Sequence, residues 1–203
     1  DSLGAIEERM EKQHRVSWAQ LIACIDSDWA GLEGDLVRSM MKSAPKYGAG
    51  GTCADQWARR IASTFATIIK EAPTPDGHMM IPGIFSWALP ILMGRKLGPT
   101  PDGRRAGEPI AHGANPNPAC RRDGAPTALA VAVAAVQPGY GNTAPLQLDL
   151  DPCTTDSERD IENVMGLIRG HFQLGGTQIN ANILNRERLI EASKDPSLYP
   201  EFE

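Results

Sequence analysis

No apolar run in this chain of 203 residues is long enough to cross a bilayer. The longest, TALAVAVAAV at 127–136, is bounded by Pro126 and Pro138 and is expected to be a buried element. Cysteine is scarce: Cys24, Cys53, Cys120 and Cys153 stand at irregular spacings with no C-x-x-C pair. That excludes the usual disulfide framework and zinc patterns, indicates no metal site, and fits reduced thiols in a cytoplasmic protein. A basic excess is missing too. Twenty Lys and Arg stand against 25 Asp and Glu, a net charge of -5, and no long basic block occurs. Neither nucleic acid nor an anionic membrane is therefore an expected partner. Also absent are an initiator methionine and a signal-like first segment, so the chain is expected to be cut from something longer. The length suits one domain with a real core.

What is present is periodic. Trp18, Leu21, Ile22, Ile25 and Trp29 recur at helical steps and predict a helix with one buried face. Trp57, Ile61, Phe65 and Ile68 predict a second helix over 52–70. Ser157 followed by Asp160 marks the capped start of a third, running to Phe172 with Ile161, Val164, Met165, Ile168 and Phe172 as its buried stripe. A short fourth, 186–193, ends before Asp195 and Pro196, because a residue preceding proline avoids the helical region. His171 falls on the third helix, and a structural role is expected for it and for His112. Residues 1–75 are thus expected to be helical, and 76–203 to hold loops plus a strand, helix and strand.

Two segments change to a period of two. In APLQLDL the leucines alternate with Gln147 and Asp149; in TQINANIL, Ile179, Ala181 and Ile183 alternate with Gln178, Asn180 and Asn182. Both are expected strands with one polar face. The intervening helix makes a crossover, which favours parallel pairing and an α/β fold. A polar face on a parallel strand needs polar company, either a substrate or neighbouring loop backbone. The run HMMIPGIF at 78–85 is a further strand or a buried loop, with Pro82 weighing against the strand.

The segment GRKLGPTPDGRRAGEP at 94–109 is the most distinctive in the chain. Glycines and prolines restrict or release its backbone at repeated points, and TPDG at 100–103 is a turn, so a defined path is expected. Arg104 and Arg105 with Glu108 allow two roles: an ion-paired structural loop, or an anion-binding loop. The spacing matches neither G-x-x-x-x-G-K-[ST] nor G-x-G-x-x-G. Tyr47 in PKYG and Tyr140 in PGYG are expected to pack down in turns.

This loop, with PKYG at 45–48, GANP at 113–116, DGAPTAL at 123–129, GGTQINANIL at 175–184 and DPSLYP at 195–200, resembles the C-terminal half of the glycyl radical enzymes. That superfamily includes pyruvate formate-lyase, diol dehydratases, choline trimethylamine-lyase and arylacetate decarboxylases. The resemblance runs from about Trp29 to the chain end. It implies a ten-stranded α/β barrel around two finger loops, and lyase or transfer chemistry by a thiyl radical. It also implies an activating enzyme that uses S-adenosylmethionine and an iron-sulfur cluster to install the glycyl radical, and a dimer. No cofactor bound directly to this chain is implied.

The radical glycine of the family lies in an R-V-x-G-Y type segment and its cysteine in a Gly-Cys-x-Glu context; neither occurs here. The expectation is a portion of such an enzyme, inactive alone, with catalytic cysteine and glycine outside the chain. The alternatives are a non-catalytic truncated relative acting as an assembly module, and an anion-binding module using Arg104 and Arg105. In the barrel the resemblance implies, Gln147, Asp149, Gln178, Asn180 and Asn182 are candidates to line the lumen. Asp149 and Asn180 depart from the family pattern and point to a small polar substrate such as a diol, amino alcohol or hydroxylated or aryl acid.

Overall fold

The computed structural model describes residues 1–72, 74–85, 89–117, 126–139, 143–151 and 157–199. Cys120, Cys153, Tyr140, residues 123–125 of the DGAP motif and Pro200 lie outside the described residues. Helix α1 (Ser2–Ile6) runs into a π-helical segment (Glu7–Lys12). Then come α2 (Trp18–Asp26), α3 (Gly31–Lys42), α4 (Cys53–Glu71), α5 (Pro90–Gly94), α6 (Pro126–Ala134), β1 (Leu146–Leu150), α7 (Glu158–Gln173), β2 (Ile179–Ile183) and α8 (Arg186–Ala192). The fold is mixed α/β.

The helix starts follow from local chemistry. Ser17 and Gln20 form a reciprocal capping box on α2, and Thr52 and Asp55 form another on α4, each giving partners to amides the helix cannot use. The Ser157 hydroxyl accepts the Asp160 amide at the start of α7, as its sequence predicts. Helix α8 ends at Ala192, short of Asp195 and Pro196.

Between α2 and α3 the backbone turns through two left-handed residues, Asp28 (φ 51°) and Trp29 (φ 63°). Such residues are costly away from glycine and persist only where the surroundings hold them. Here the hold is burial: Trp29 has no exposed surface and sits in a core with Ala5, Met10, Val16, Leu21, Cys24, Val37, Met41 and Ala44. Gly34 faces the Trp29 carbonyl so closely that a Cβ would lie 2.5 Å from its carbon.

Strands β1 and β2 pair in parallel, Leu146 opposite Ile179 through Leu150 opposite Ile183, with α7 as the crossover. The two alternations fall in phase. Leu146 and Leu148 are buried, and Leu146 packs with Ala130, Val133, Leu167 and Ile179 against α6 and α7. The polar residues share the opposite face.

The structure corrects the expected buried stripes. On α2, Leu21 and Cys24 are inside while Trp18 and Ile22 are exposed. On α4 the small residues Ala54, Ala62 and Ala66 face inward, and Ile61, Phe65 and Ile68 face out, Ile68 at 60% exposure. On α7, His171 is the buried residue and Ile161, Met165 and Phe172 are exposed. Residues 78–85 form no strand, and Met79, Ile81 and Phe85 are exposed. The physical reason is that a periodic stripe shows which face is apolar, not whether anything covers it. The total exposed area is 12576 Å², against about 9,300 Å² for a compact monomer of this mass.

Two predictions follow from these contacts. A Cβ at Gly48 (φ +86°) would lie 2.2 Å from Pro116 Cγ. Gly48→Ala should therefore lower the thermal midpoint by a cost of about 2 kcal/mol or more; an unchanged melting curve would contradict the packing of PKYG on GANP. The Glu7 carboxylate pairs with Lys12 at 2.7 Å and accepts the Trp57 indole N–H at 2.6 Å; these contacts, Lys12 first, hold it below the usual carboxylate range. A depressed folded pKa stabilises above the unfolded value and is lost as pH falls through the folded one. Glu7→Gln should therefore flatten the acid limb of stability below about pH 4.3, by well under 1 kcal/mol because the pair is partly solvated, as read by urea denaturation at pH 3 and pH 6.

Candidate functional site

The loop after α5 is held shut by its own arginines. Gly94 lies so close to the Glu108 carbonyl that a Cβ would come within 2.4 Å, so the two loop ends cross at a glycine. Thr100 N–H donates to Arg104 O at 3.0 Å and Gly103 N–H to Thr100 O at 3.0 Å, with Gly103 at φ +90°, which makes TPDG the expected turn. Arg104 is 7% exposed. Its guanidinium donates to the carbonyls of Glu108 (2.8 Å), Arg105 (3.2 Å) and Gly98. Arg105 donates to Asp28 O at 2.8 Å and pairs with Asp35 at 2.9 Å.

Glu108 accepts the Arg105 amide at 2.9 Å and pairs with Arg38 at 3.1 Å, while Arg38 also donates to Gly103 O at 2.8 Å. The Trp29 indole closes the set on Arg104 O at 3.1 Å. The loop is thus seated on the corner between α2 and α3, with both guanidinium groups directed at protein acceptors. The adjacent Asp102 carboxylate accepts Thr100 (2.6 Å) and Ser2 (3.1 Å).

An open cavity of about 750 Å³ lies beside this loop. Ile61, Phe65, Ile84 and Ile110 give it an apolar wall, and Asp102, Arg104, Asn115 and Tyr47 supply polar edges. The Tyr47 hydroxyl donates to Ala114 O at 2.8 Å; burial, then the nearby Asp55 charge, push this phenol well above its ordinary range, so it stays protonated. Asp55 in turn accepts the amides of Gly48 (2.7 Å), Gly50 (3.2 Å) and Thr52 (2.8 Å), which shapes the segment after PKYG.

The amide-bearing strand residues come together elsewhere. Gln147 stands opposite Asn180 and Asp149 opposite Asn182, on one face of the sheet. Asn182 Nδ2 donates to Asp149 Oδ1 at 2.9 Å, and Gln178 Nε2 donates to Asn180 Oδ1 at 2.9 Å. Gln147 and Asn180 are half-buried; Asp149, Gln178 and Asn182 are exposed. None of the five is among the residues lining the cavity, whereas Arg104 is. Arg105 and Glu108 stay with the loop.

Two carboxamides that periodicity gives no reason to single out brace this sheet. Gln137 spans the Ala144 peptide groups and the Val133 carbonyl, and accepts the Thr177 hydroxyl at 2.7 Å. Asn115, buried at 7% exposure, lines the cavity and contacts the start of β1. Its only sequence signal was the GANP motif. His171 is buried, with Nδ1 2.9 Å from Ala130 O and Nε2 without a partner against Gly176; His112 offers its backbone carbonyl to Asn115. Among the described residues no group of three His, Cys, Asp or Glu is placed to hold a metal, and no helix is long and apolar enough to cross a membrane. Burial, then the charge of Glu33, raise the Cys24 thiol above its ordinary value.

Comparison with known proteins gives a consistent pattern. Residues 1–94 match the pyruvate formate lyase-like family model and residues 110–202 the glycine radical model. The chain is 31% identical over 209 residues to "Probable dehydratase YbiW" of Escherichia coli (strain K12), covering 98% of this chain and 26% of that protein. It is 31% identical over 166 residues to the formate acetyltransferase of Haemophilus influenzae, covering 78% and 21%. Among solved structures it superposes on the glycerol-bound form of the B12-independent glycerol dehydratase from Clostridium butyricum with a TM-score of 0.83 and 25% identity, over 98% of this chain and 25% of that one. The chain spans about a quarter of the length of the first of these relatives.

The loop geometry carries its own test. Arg104→Ala would remove three guanidinium hydrogen bonds, with Arg105 O keeping only the Glu108 amide at 3.3 Å, and should cost about 2–4 kcal/mol in chemical denaturation, while millimolar phosphate should leave the thermal midpoint of the unaltered protein in place. A neutral substitution together with stabilisation by phosphate would instead make the loop an anion site.

Proposed function

Because this chain belongs to the glycyl radical enzyme superfamily, we propose that it is a portion of a glycyl radical lyase of the dehydratase type, acting on a small polar substrate such as a diol, amino alcohol or hydroxylated acid. The observation that carries the substrate class is the in-phase polar face of β1 and β2, where Gln147, Asp149, Asn180 and Asn182 stand side by side. Carboxamides offer both donors and acceptors, which suits vicinal hydroxyls better than a planar thioester. The relatives named for dehydration, one of them of glycerol, support the same class.

In this reading β1 and β2 are two strands of the ten-stranded barrel, and the polar face looks into its lumen. The catalytic cysteine and radical glycine lie outside this chain, and an activating enzyme using S-adenosylmethionine installs the radical. The bond-breaking chemistry is radical chemistry; this chain's residues orient the hydroxyls and help exclude water. The uncovered faces of α4 and α7, with Ile61, Phe65, Ile68, Ile161, Met165 and Phe172 exposed, support a chain that packs within a larger fold.

The test is anaerobic expression of the longer protein with its activating enzyme, assayed on glycerol, 1,2-propanediol and trans-4-hydroxy-L-proline. Turnover of a hydroxylated substrate by the longer protein, none by the 203-residue chain, and a KM raised about tenfold or more by Gln147→Leu are expected. Turnover of pyruvate with coenzyme A alone would contradict the dehydratase reading, and activity of the 203-residue chain would contradict its partial nature.

A further inference from the structure

The hydrogen bonds across β1 and β2 have a definite phase. Leu146 N–H donates to Gln178 O at 3.0 Å and Leu184 N–H to Leu150 O at 2.9 Å. In a parallel ladder this directs the peptide groups of 146, 148 and 150 toward β2, and those of 145, 147 and 149 away from it. On that outward edge a neighbouring strand residue would donate its N–H to the carbonyl of 145 and accept the N–H of 147. The Asn115 side chain does both: Nδ2 donates to Pro145 O at 2.9 Å and Oδ1 accepts the Gln147 N–H at 2.8 Å.

Its amide group also donates to His112 O at 3.0 Å, within its own turn, so the carboxamide is fixed from both sides. We propose that the Asn115 carboxamide stands in for a strand residue at the outer edge of β1 and is a positioning residue that fixes Gln147 in the polar face. This rests on the reading of that face as the substrate wall. The bland alternative, a buried amide that merely satisfies loop backbone, does not require the two strand groups flanking one residue to be bonded together. Asn115 also lines the 750 Å³ cavity, so it ties the turn 112–115 to the strand.

The experiment is hydrogen exchange by NMR or mass spectrometry on the longer protein, with Asn115→Ala and, should that variant fold poorly, Asn115→Ser, whose short side chain cannot span both strand groups. The Gln147 amide should exchange about threefold to tenfold faster, the loss of one hydrogen bond, while the Leu148 and Asn180 amides change by less than about twofold. With glycerol or 1,2-propanediol as substrate, KM should rise several-fold with kcat nearly unchanged.

Equal acceleration of all β1 and β2 amides, or none at Gln147, would overturn the proposal. So would an unchanged KM in Asn115→Ala where Gln147→Leu raises it. If Gln147→Leu itself leaves KM unchanged, the substrate wall fails first and this inference falls with it, which separates the two failures.

Discussion

The indole of Trp29 is the constraint around which the first half of the molecule is arranged. It lies at a left-handed corner that a tryptophan would not adopt in isolation, and full burial among eight other core residues offsets that conformational cost. Once the ring is fixed, its N–H selects the Arg104 carbonyl, and the Asp28 carboxylate at the same corner accepts the Ala106 amide at 2.8 Å. The arginine-rich loop is therefore held through its own backbone groups, by side chains of the corner, as well as by ion pairs. Partly solvated pairs such as Arg38 with Glu108 are worth little alone. The buried Arg104 guanidinium is worth more, because it donates to three partly buried carbonyls at once and hydrogen bonds to a charged group are the stronger kind.

The second half follows a different rule. Its sheet has two strands only among the described residues, and two side-chain carboxamides, Gln137 and Asn115, bind peptide groups just before and within β1. This places the polar side of the sheet in register without a third strand beside Leu146. On the apolar side Leu146 and Ile179 pack with α6 and α7 and Leu148 is buried, while Ala181 and Ile183 toward the end of β2 are exposed; the other side carries the hydrogen-bonding side chains.

Local rules were legible in the sequence and burial was not. The period of two in LQLDL and INANI, the Ser157 cap, the TPDG turn and the stop before Asp195 each depend on a few neighbouring residues, and each is present. The faces of α2, α4 and α7 depend on what lies opposite. Ile61, Phe65 and Ile68 form an apolar stripe in which the helix instead buries Ala62 and Ala66, because close approach of the neighbouring segments favours small side chains. Asn115 and Gln137 escaped for a related reason: a carboxamide that copies a strand's hydrogen bonds has no periodicity and is visible only when its partners, far apart in sequence, are brought together.

The most direct test of the central claim is an experimental structure of the longer protein with glycerol or 1,2-propanediol bound. A ligand hydroxyl should lie within hydrogen-bonding distance, about 3 Å, of the Gln147 or Asn180 carboxamide, with Asp149 and Asn182 on the same wall. A ligand bound elsewhere, with those four side chains directed at bulk solvent or at another subunit's surface, would contradict it.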